Sequence, residues 1–364
     1  MTNNTFFALG LTSVRLKIIK KLNYTVPTQV QAEAIPSILQ GKDIMAAAPT
    51  GSGKTAAYAL PLADLLSKKD TARALIIAPT RELAQQIQTV IKEAIQDTFM
   101  QTALIVGGKN MQGQLRKLKQ KPQFVIATPG RLNDHIKRKT FGIEDFGFVV
   151  WDEMDKMLEL GFREQIEDIF NRLPIKKQSM MFSATYPKRV LKLAEKYLNN
   201  PVKIFAEEVN KPNQNITQKI IKIEGNEKLK KLTELLQEQS KTGKQILVFV
   251  KTQRAANEIS IYLKRKGFSV ITMHGGLQQK IRDKNLLDFR QGLTQIMIAT
   301  DLAARGLDIP AIYCVINYEL PQNPEEYVHR IGRSGRYKNK GVSYTLIARS
   351  DRADWKKIKE FLNN

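Results

Sequence analysis

Ala48-Pro49-Thr50-Gly51-Ser52-Gly53-Lys54-Thr55 stands between an apolar run, Ile44 to Ala47, and a stretch of helical composition, Ala56 to Leu66. The run reads as a buried strand, so the glycine-rich segment sits at a strand-to-helix turn. Gly51 and Gly53 let the backbone approach an anion and turn its amides inward. The helix N-terminus that follows adds unpaired N–H donors and a partial positive charge. Lys54 supplies a full charge for the outer phosphates of a nucleoside triphosphate, and the Thr55 hydroxyl suits a magnesium ligand. The general phosphate-loop pattern begins with glycine where this chain has Ala48, one departure in an otherwise matching strand, loop and helix.

Working outward, 364 residues suffice for two domains with separate cores, and 42% hydrophobic residues is a globular value. No apolar run approaches the roughly 18 to 20 residues of a membrane span, and the polar start Met1 to Asn4 lacks a signal-peptide layout, so a soluble, cytoplasmic protein is expected. A single cysteine, Cys314, excludes an internal disulfide framework, and three histidines argue against structural zinc. The net charge is +23, divided as +12 over residues 1–205 and +11 over 206–364. An even division suits a polyanion lying across two lobes better than a basic tail. A generic solubilising surface is the competing explanation.

Phe6 to Tyr24 carries a helical pattern, and a further helix is expected from about Ala32 to Leu39. Between them Gln31 offers a donor and an acceptor that match the N6/N7 edge of adenine, and Tyr24 offers a ring for stacking. Apolar runs then alternate with helical stretches: Ala74 to Ala78, Thr102 to Val106, Phe124 to Ala127, Phe146 to Trp151 and Met180 to Phe182. That alternation predicts a parallel sheet covered by helices on both faces, with ligands at the carboxyl ends of its strands. Asp152 and Glu153 are expected just beyond one such end. There an acid can hold magnesium directly or through water, and its neighbour can orient or deprotonate an attacking water. For Asp155 a favourable place in the first turn of a helix is a serious competing explanation.

Glu207 to Asn215 carries no periodicity and reads as a linker, so domains are expected at 1–205 and 216–364 with residues 206–215 between them. A second series of strands follows at Gln218 to Ile223, Ile246 to Val250, Val270 to Met273, Gln295 to Ala299, Val315 to Asn317 and Ser343 to Ile347. Ala78-Pro79-Thr80 and Ile126-Ala127-Thr128 in the first lobe are echoed by Val250-Lys251-Thr252 and Ile298-Ala299-Thr300 in the second, which suggests two copies of one fold. No phosphate loop recurs. The second copy instead carries His329-Arg330-Ile331-Gly332-Arg333-Ser334-Gly335-Arg336, whose guanidinium groups suit charge developing on a transferring phosphoryl group, or a nucleic-acid backbone.

With these motifs in this order, the chain resembles a DEAD-box RNA helicase of the bacterial type from about Phe6 to Leu346. The resemblance implies an α/β fold of two tandem RecA-like domains, each a mostly parallel sheet flanked by helices. It implies ATP and magnesium as cofactors, single-stranded RNA as partner, and ATP-driven local separation of short duplexes. By the same resemblance, Phe6, Tyr24 and Gln31 select adenine; Thr50, Gly51, Ser52, Gly53, Lys54 and Thr55 hold phosphates, with Thr55 and Asp152 toward the metal; and Glu153 is the catalytic base. Ser183, Thr185 and His329 couple hydrolysis to unwinding, Asp308 meets the ribose, and Arg333 and Arg336 are arginine fingers. Arg81, Gly108, Thr128, Pro129, Arg131, Thr252, Arg254, Gly275 and Thr300 resemble an RNA-backbone track that reads few base edges. A monomer is implied, with protein partners of the ribosome-assembly or RNA-decay kind.

The Asp-Glu-Ala-Asp of that family is here Asp152-Glu153-Met154-Asp155, which places a bulky side chain beside the expected hydrolytic site. An ATP-dependent RNA clamp with impaired hydrolysis is therefore the alternative, and a DNA-translocating helicase would share the two-lobe plan. Asn23 stands where the family has glycine, which suits a turn of positive φ because asparagine visits that region readily.

Overall fold

The computed structural model describes residues 5–49, 51–68, 72–205, 215–224, 227–304, 312–335 and 340–363. Thr50, Asp308, Arg336 and nearly all of the expected linker lie outside the described residues. The chain divides into two compact units, Met1–Val209 and Asn210–Asn364.

In the first unit the strands are β1 (Ile44–Ala47), β2 (Arg73–Ile77), β3 (Thr102–Ile105), β4 (Phe124–Ala127), β5 (Phe146–Asp152), β6 (Gln178–Ser183) and β7 (Val202–Phe205). They form one sheet in the order β3-β4-β2-β5-β6-β1-β7, with every pairing parallel. Helices cover both faces, so the inner strands are apolar throughout instead of alternating. On β2, Ala74 and Ile76 enter one apolar cluster while Leu75 and Ile77 enter the other. The short edge strand β7 escaped the sequence analysis because only Ile204 is buried on it, which leaves no apolar run to find.

The second unit holds β8 (Ile216–Lys222), β9 (Ile246–Val250), β10 (Val270–Met273), β11 (Ile296–Thr300), β12 (Cys314–Asn317) and β13 (Gly341–Ile347). Their order, β10-β11-β9-β12-β13-β8, repeats that of the first sheet strand for strand apart from β7, again all parallel. The echo between the two lobes is thus a duplication of fold. Cys314 is fully buried within this sheet, and burial pushes its thiol up to about 12.

One helix boundary differs from expectation. The helical pattern within Phe6 to Tyr24 is a short 3-10 turn, Phe6–Leu9, and an α-helix, Ser13–Lys21, separated at Gly10 by its left-handed φ of +83°. The helix expected from Ala32 begins at Gln29, because Thr28 and Gln31 form a reciprocal cap that pulls the first turn forward. Asn23 adopts φ +57°, the left-handed turn that its presence suggested.

Candidate active site

Three neighbouring strands of the first sheet, β5, β6 and β1, end side by side, and each continues into a segment of chemical interest. After β1 comes the glycine-rich loop, closed by a hydrogen bond from Ala48 N to Ser183 O at the end of β6 (3.1 Å). Lys54 is the first residue of the helix Lys54–Ser67. Its ammonium folds back over the loop, donating to Ala48 O (2.6 Å) and Ser183 O (3.5 Å). Those carbonyls hold the charge over the strand ends where a phosphate would meet it.

A strap from upstream fixes the loop. Thr28 donates its hydroxyl to Ser52 O (2.7 Å), and the Gln31 amide accepts from Thr28 N (3.0 Å) while donating to Gly53 O (3.2 Å). Both ends of the Gln31 side chain therefore meet the protein. Gly53 is left-handed at φ +83°, which favours glycine, and a Cβ there would push the Gln31 amide off its place. Phe6 and Tyr24 stack with ring centroids 6.4 Å apart, Phe6 buried in the apolar cluster beneath.

Asp152 is the last residue of β5 instead of lying beyond it, and Glu153 opens the next helix in a left-handed conformation, φ +54°. This geometry is uncommon for a residue with a Cβ and typical of functional turns. Asp152 is buried, and burial pushes its carboxyl above the ordinary carboxylate value against the opposing pull of the Lys54 ammonium. Its Oδ2 accepts from the Tyr58 hydroxyl at 2.8 Å. Met154 turns the other way: it is fully buried in an apolar cluster with Trp151, Met157 and Ile166, among core side chains. Asp155 is more than a residue favoured by a helix terminus, since its Oδ2 accepts from Thr185 N and Thr185 Oγ1, both at 3.0 Å, and its own N–H donates to Ser183 Oγ (3.2 Å).

On the far side of the same sheet edge, β2, β3 and β4 deliver the residues expected along the RNA track. Thr80 caps the helix Arg81–Ala94, which lays the Arg81 guanidinium on the Gly107-Gly108 backbone. Thr128 precedes the helix Pro129–Lys137 at its N-cap position without a side-chain hydrogen bond to it, and Arg131 donates to Lys109 O (3.3 Å). Beneath them lies a buried pair that sequence reasoning missed. Gln114 donates to Val106 O (2.9 Å), so its Oε1 must accept from His135 Nε2 (3.2 Å), and His135 meets Thr140 through Nδ1 (3.0 Å). Burial and the nearby Arg131 lower the His135 pKa.

In the second unit Thr252 caps the helix Gln253–Arg265 as Thr80 does in the first, and the Gln253 amide lies against Gly275 and Gly276. Arg254 is exposed and pairs with Glu258 (2.7 Å). Thr300 ends β11. Of the arginine series, Arg330 is structural: it forks onto Asp301 (2.5 and 2.7 Å) and reaches Asn317 Oδ1 (3.2 Å) and Glu319 O (2.5 Å). It thereby fixes the helix Pro324–Ile331, which carries His329 and leads to the buried Arg333.

Residues 28–193 match the family model of DEAD/DEAH box helicases, and residues 227–338 match the helicase conserved C-terminal domain. A DEAD-box ATP-dependent RNA helicase of Helicobacter pylori, RhpA, is 41% identical over 343 residues, covering 94% of this chain and 69% of its own length. The chain is a DEAD-box helicase. Another member, CshA of Bacillus cereus, is 40% identical over 357 residues, covering 97% of this chain and 67% of its own. Among solved DEAD-box structures, Dbp5 of S. cerevisiae bound to RNA and ADP BeF3 matches with a TM-score of 0.90 at 31% identity, over 99% of this chain and 93% of that one. Mss116 bound to ssRNA and UDP-BeF matches at 0.88 and 27% identity, over 97% and 76%. No helix among the described residues is long and apolar enough to cross a membrane.

Proposed function

We propose that this chain is an RNA-stimulated ATPase that grips single-stranded RNA and separates short duplexes locally, using ATP, with domains spanning 1–205 and 216–364. Support comes first from one juxtaposition: Lys54 on the loop after β1, Asp152 ending β5 and the Ser183 to Thr185 segment after β6 meet at adjacent strand ends. RhpA and CshA carry the name of ATP-dependent RNA helicase, and Dbp5 and Mss116 were solved with RNA and nucleotide analogues.

In this proposal Gly51, Ser52, Gly53 and Lys54 bind the phosphates, with Thr50 beside them. Asp152 and Thr55 hold magnesium, which when bound neutralises phosphate charge and fixes the reacting geometry. The two oxygens suit that ion, which takes one or two protein ligands and fills its shell with water and phosphate; no larger acid or histidine cluster exists among the described residues. Glu153 takes the proton of the attacking water. Arg333 and Arg336 neutralise charge on the phosphoryl group as it transfers. Arg81, Gly108, Thr128, Pro129 and Arg131 follow one half of the RNA backbone; Thr252, Arg254, Gly275 and Thr300 follow the other. Met154 supports hydrolysis over the clamp alternative, because its bulk is absorbed by the core.

The experiment is ATP turnover with and without RNA, run beside Glu153→Gln and Lys54→Ala. RNA should stimulate the wild type, Glu153→Gln should lose about 10²- to 10⁴-fold in rate while binding ATP, and Lys54→Ala should lose ATP affinity. Equal turnover in wild type and Glu153→Gln sinks the proposal.

A further inference from the structure

Tyr58 lies one turn beyond Lys54 and Thr55 on the helix Lys54–Ser67 and is fully buried. Its ring packs tilted against Phe182, with centroids 5.2 Å apart. A phenylalanine would satisfy that packing, whereas a buried hydroxyl is costly unless hydrogen-bonded. Here the hydroxyl donates to Asp152 Oδ2 at 2.8 Å.

We propose that Tyr58 is a positioning residue for nucleotide-bound magnesium, its hydroxyl orienting the Asp152 carboxylate toward the ion. Tyr58 has this role only if Lys54, Thr55 and Asp152 hold a magnesium nucleotide as proposed above. Donor accounting sets the roles. The phenol proton goes to Asp152 Oδ2, which leaves Oδ1 to accept from a metal-bound water. One side chain thus fixes the rotamer of a carboxylate at the end of β5. In Tyr58→Phe the ring and its packing stay, and Asp152 loses its buried donor.

The test is magnesium titration of a fluorescent ADP analogue bound to the full chain, which reads ligand binding instead of turnover. For Tyr58→Phe the magnesium concentration at half-saturation should rise by about 10-fold, the lower end of what outer-shell partners of metal ligands contribute. Affinity for the same analogue in EDTA should stay within about twofold, because phosphate contacts are untouched. In an Asp152→Asn background the same substitution should add nothing further. Unchanged half-saturation in Tyr58→Phe, with its thermal transition intact, overturns the proposal. So does a full additional rise in the Asp152→Asn background, since the phenol would then act by another route. If Lys54→Ala also leaves analogue affinity unchanged, the nucleotide site itself is misassigned and Tyr58 falls with it, a result distinct from failure of the phenylalanine variant alone.

Discussion

Thr185 gives both its backbone N–H and its hydroxyl to one carboxylate oxygen of Asp155, each at 3.0 Å. The end of β6 is thereby tied to the first turn of the helix after β5, the same turn that Glu153 opens. Removing the hydroxyl as Thr185→Val keeps the volume and leaves Asp155 one donor short. A hydrogen bond to a charged group contributes about 1.5–3 kcal/mol, so movement of Glu153 and of the Ser183 to Thr185 segment should come apart. Duplex separation is expected to fall by about tenfold or more while ATP affinity stays within about twofold; equal losses in both assays would refute the coupling.

The Gln31 amide and Gly53 form a second such joint. Gly53→Ala must place a Cβ both in the left-handed region and against the Gln31 amide, so nucleotide affinity should fall sharply. Gln31→Ala removes only the strap and should raise the Kd for ATP by about 5- to 30-fold, corresponding to about 1–2 kcal/mol for two neutral hydrogen bonds. Isothermal titration of both variants gives the ordering, and a larger loss in Gln31→Ala than in Gly53→Ala would contradict it.

His135 and His274 both have pKa values lowered by burial, with Arg131 acting on the first and Arg282 on the second. A histidine whose folded pKa lies below its unfolded value, about 6.5, is protonated more readily by the unfolded chain. Their contribution to stability is therefore present above about pH 6.5 and is lost as the pH falls from there through the folded pKa. Denaturant midpoints between pH 7.5 and 5 should decline, and in His135→Gln the slope should flatten. An unchanged slope would mean that the ring does not titrate as its surroundings dictate.

Arg15 and Asp64 are both about 1% exposed and paired at 2.9 Å, with Thr12 donating to the same carboxylate from its backbone and side chain at 2.7 Å. The pair pins the helix Ser13–Lys21 to the phosphate-loop helix. Asp64→Ala strands the guanidinium in the core and should cost about 3–5 kcal/mol in urea unfolding. Asp64→Asn, which keeps hydrogen bonds, should cost less, and equal losses would show that charge pairing is not what holds the helix.

Strand positions were largely legible because parallel strands buried on both faces are unbroken apolar runs, as in Ile246 to Val250 and Phe124 to Ala127, both found at their full extent. The phosphate loop was legible because its chemistry needs a contiguous set of residue types. Tyr58, Gln114 and His135 were not, since each acts through a partner 94, 8 or 21 residues away and carries no local signature. Within His329 to Arg336 the spacing of arginines is uniform, yet Arg330 is taken by Asp301, a partner 29 positions back in the chain.

By itself the sequence determined the alternation of strands and helices, the duplication, and the loop and acid motifs, all of which are encoded by residues close together in the chain. Only the tertiary structure decided which polar groups answer one another: that Gln31 holds Gly53, that Thr185 holds Asp155, and that Met154 is core. Those outcomes depend on strand order, which brings β1, β5 and β6 side by side although β2, β3 and β4 lie between them in sequence. Sheet order is set by burial of whole faces, a sum over many distant contacts that no short stretch of residues carries.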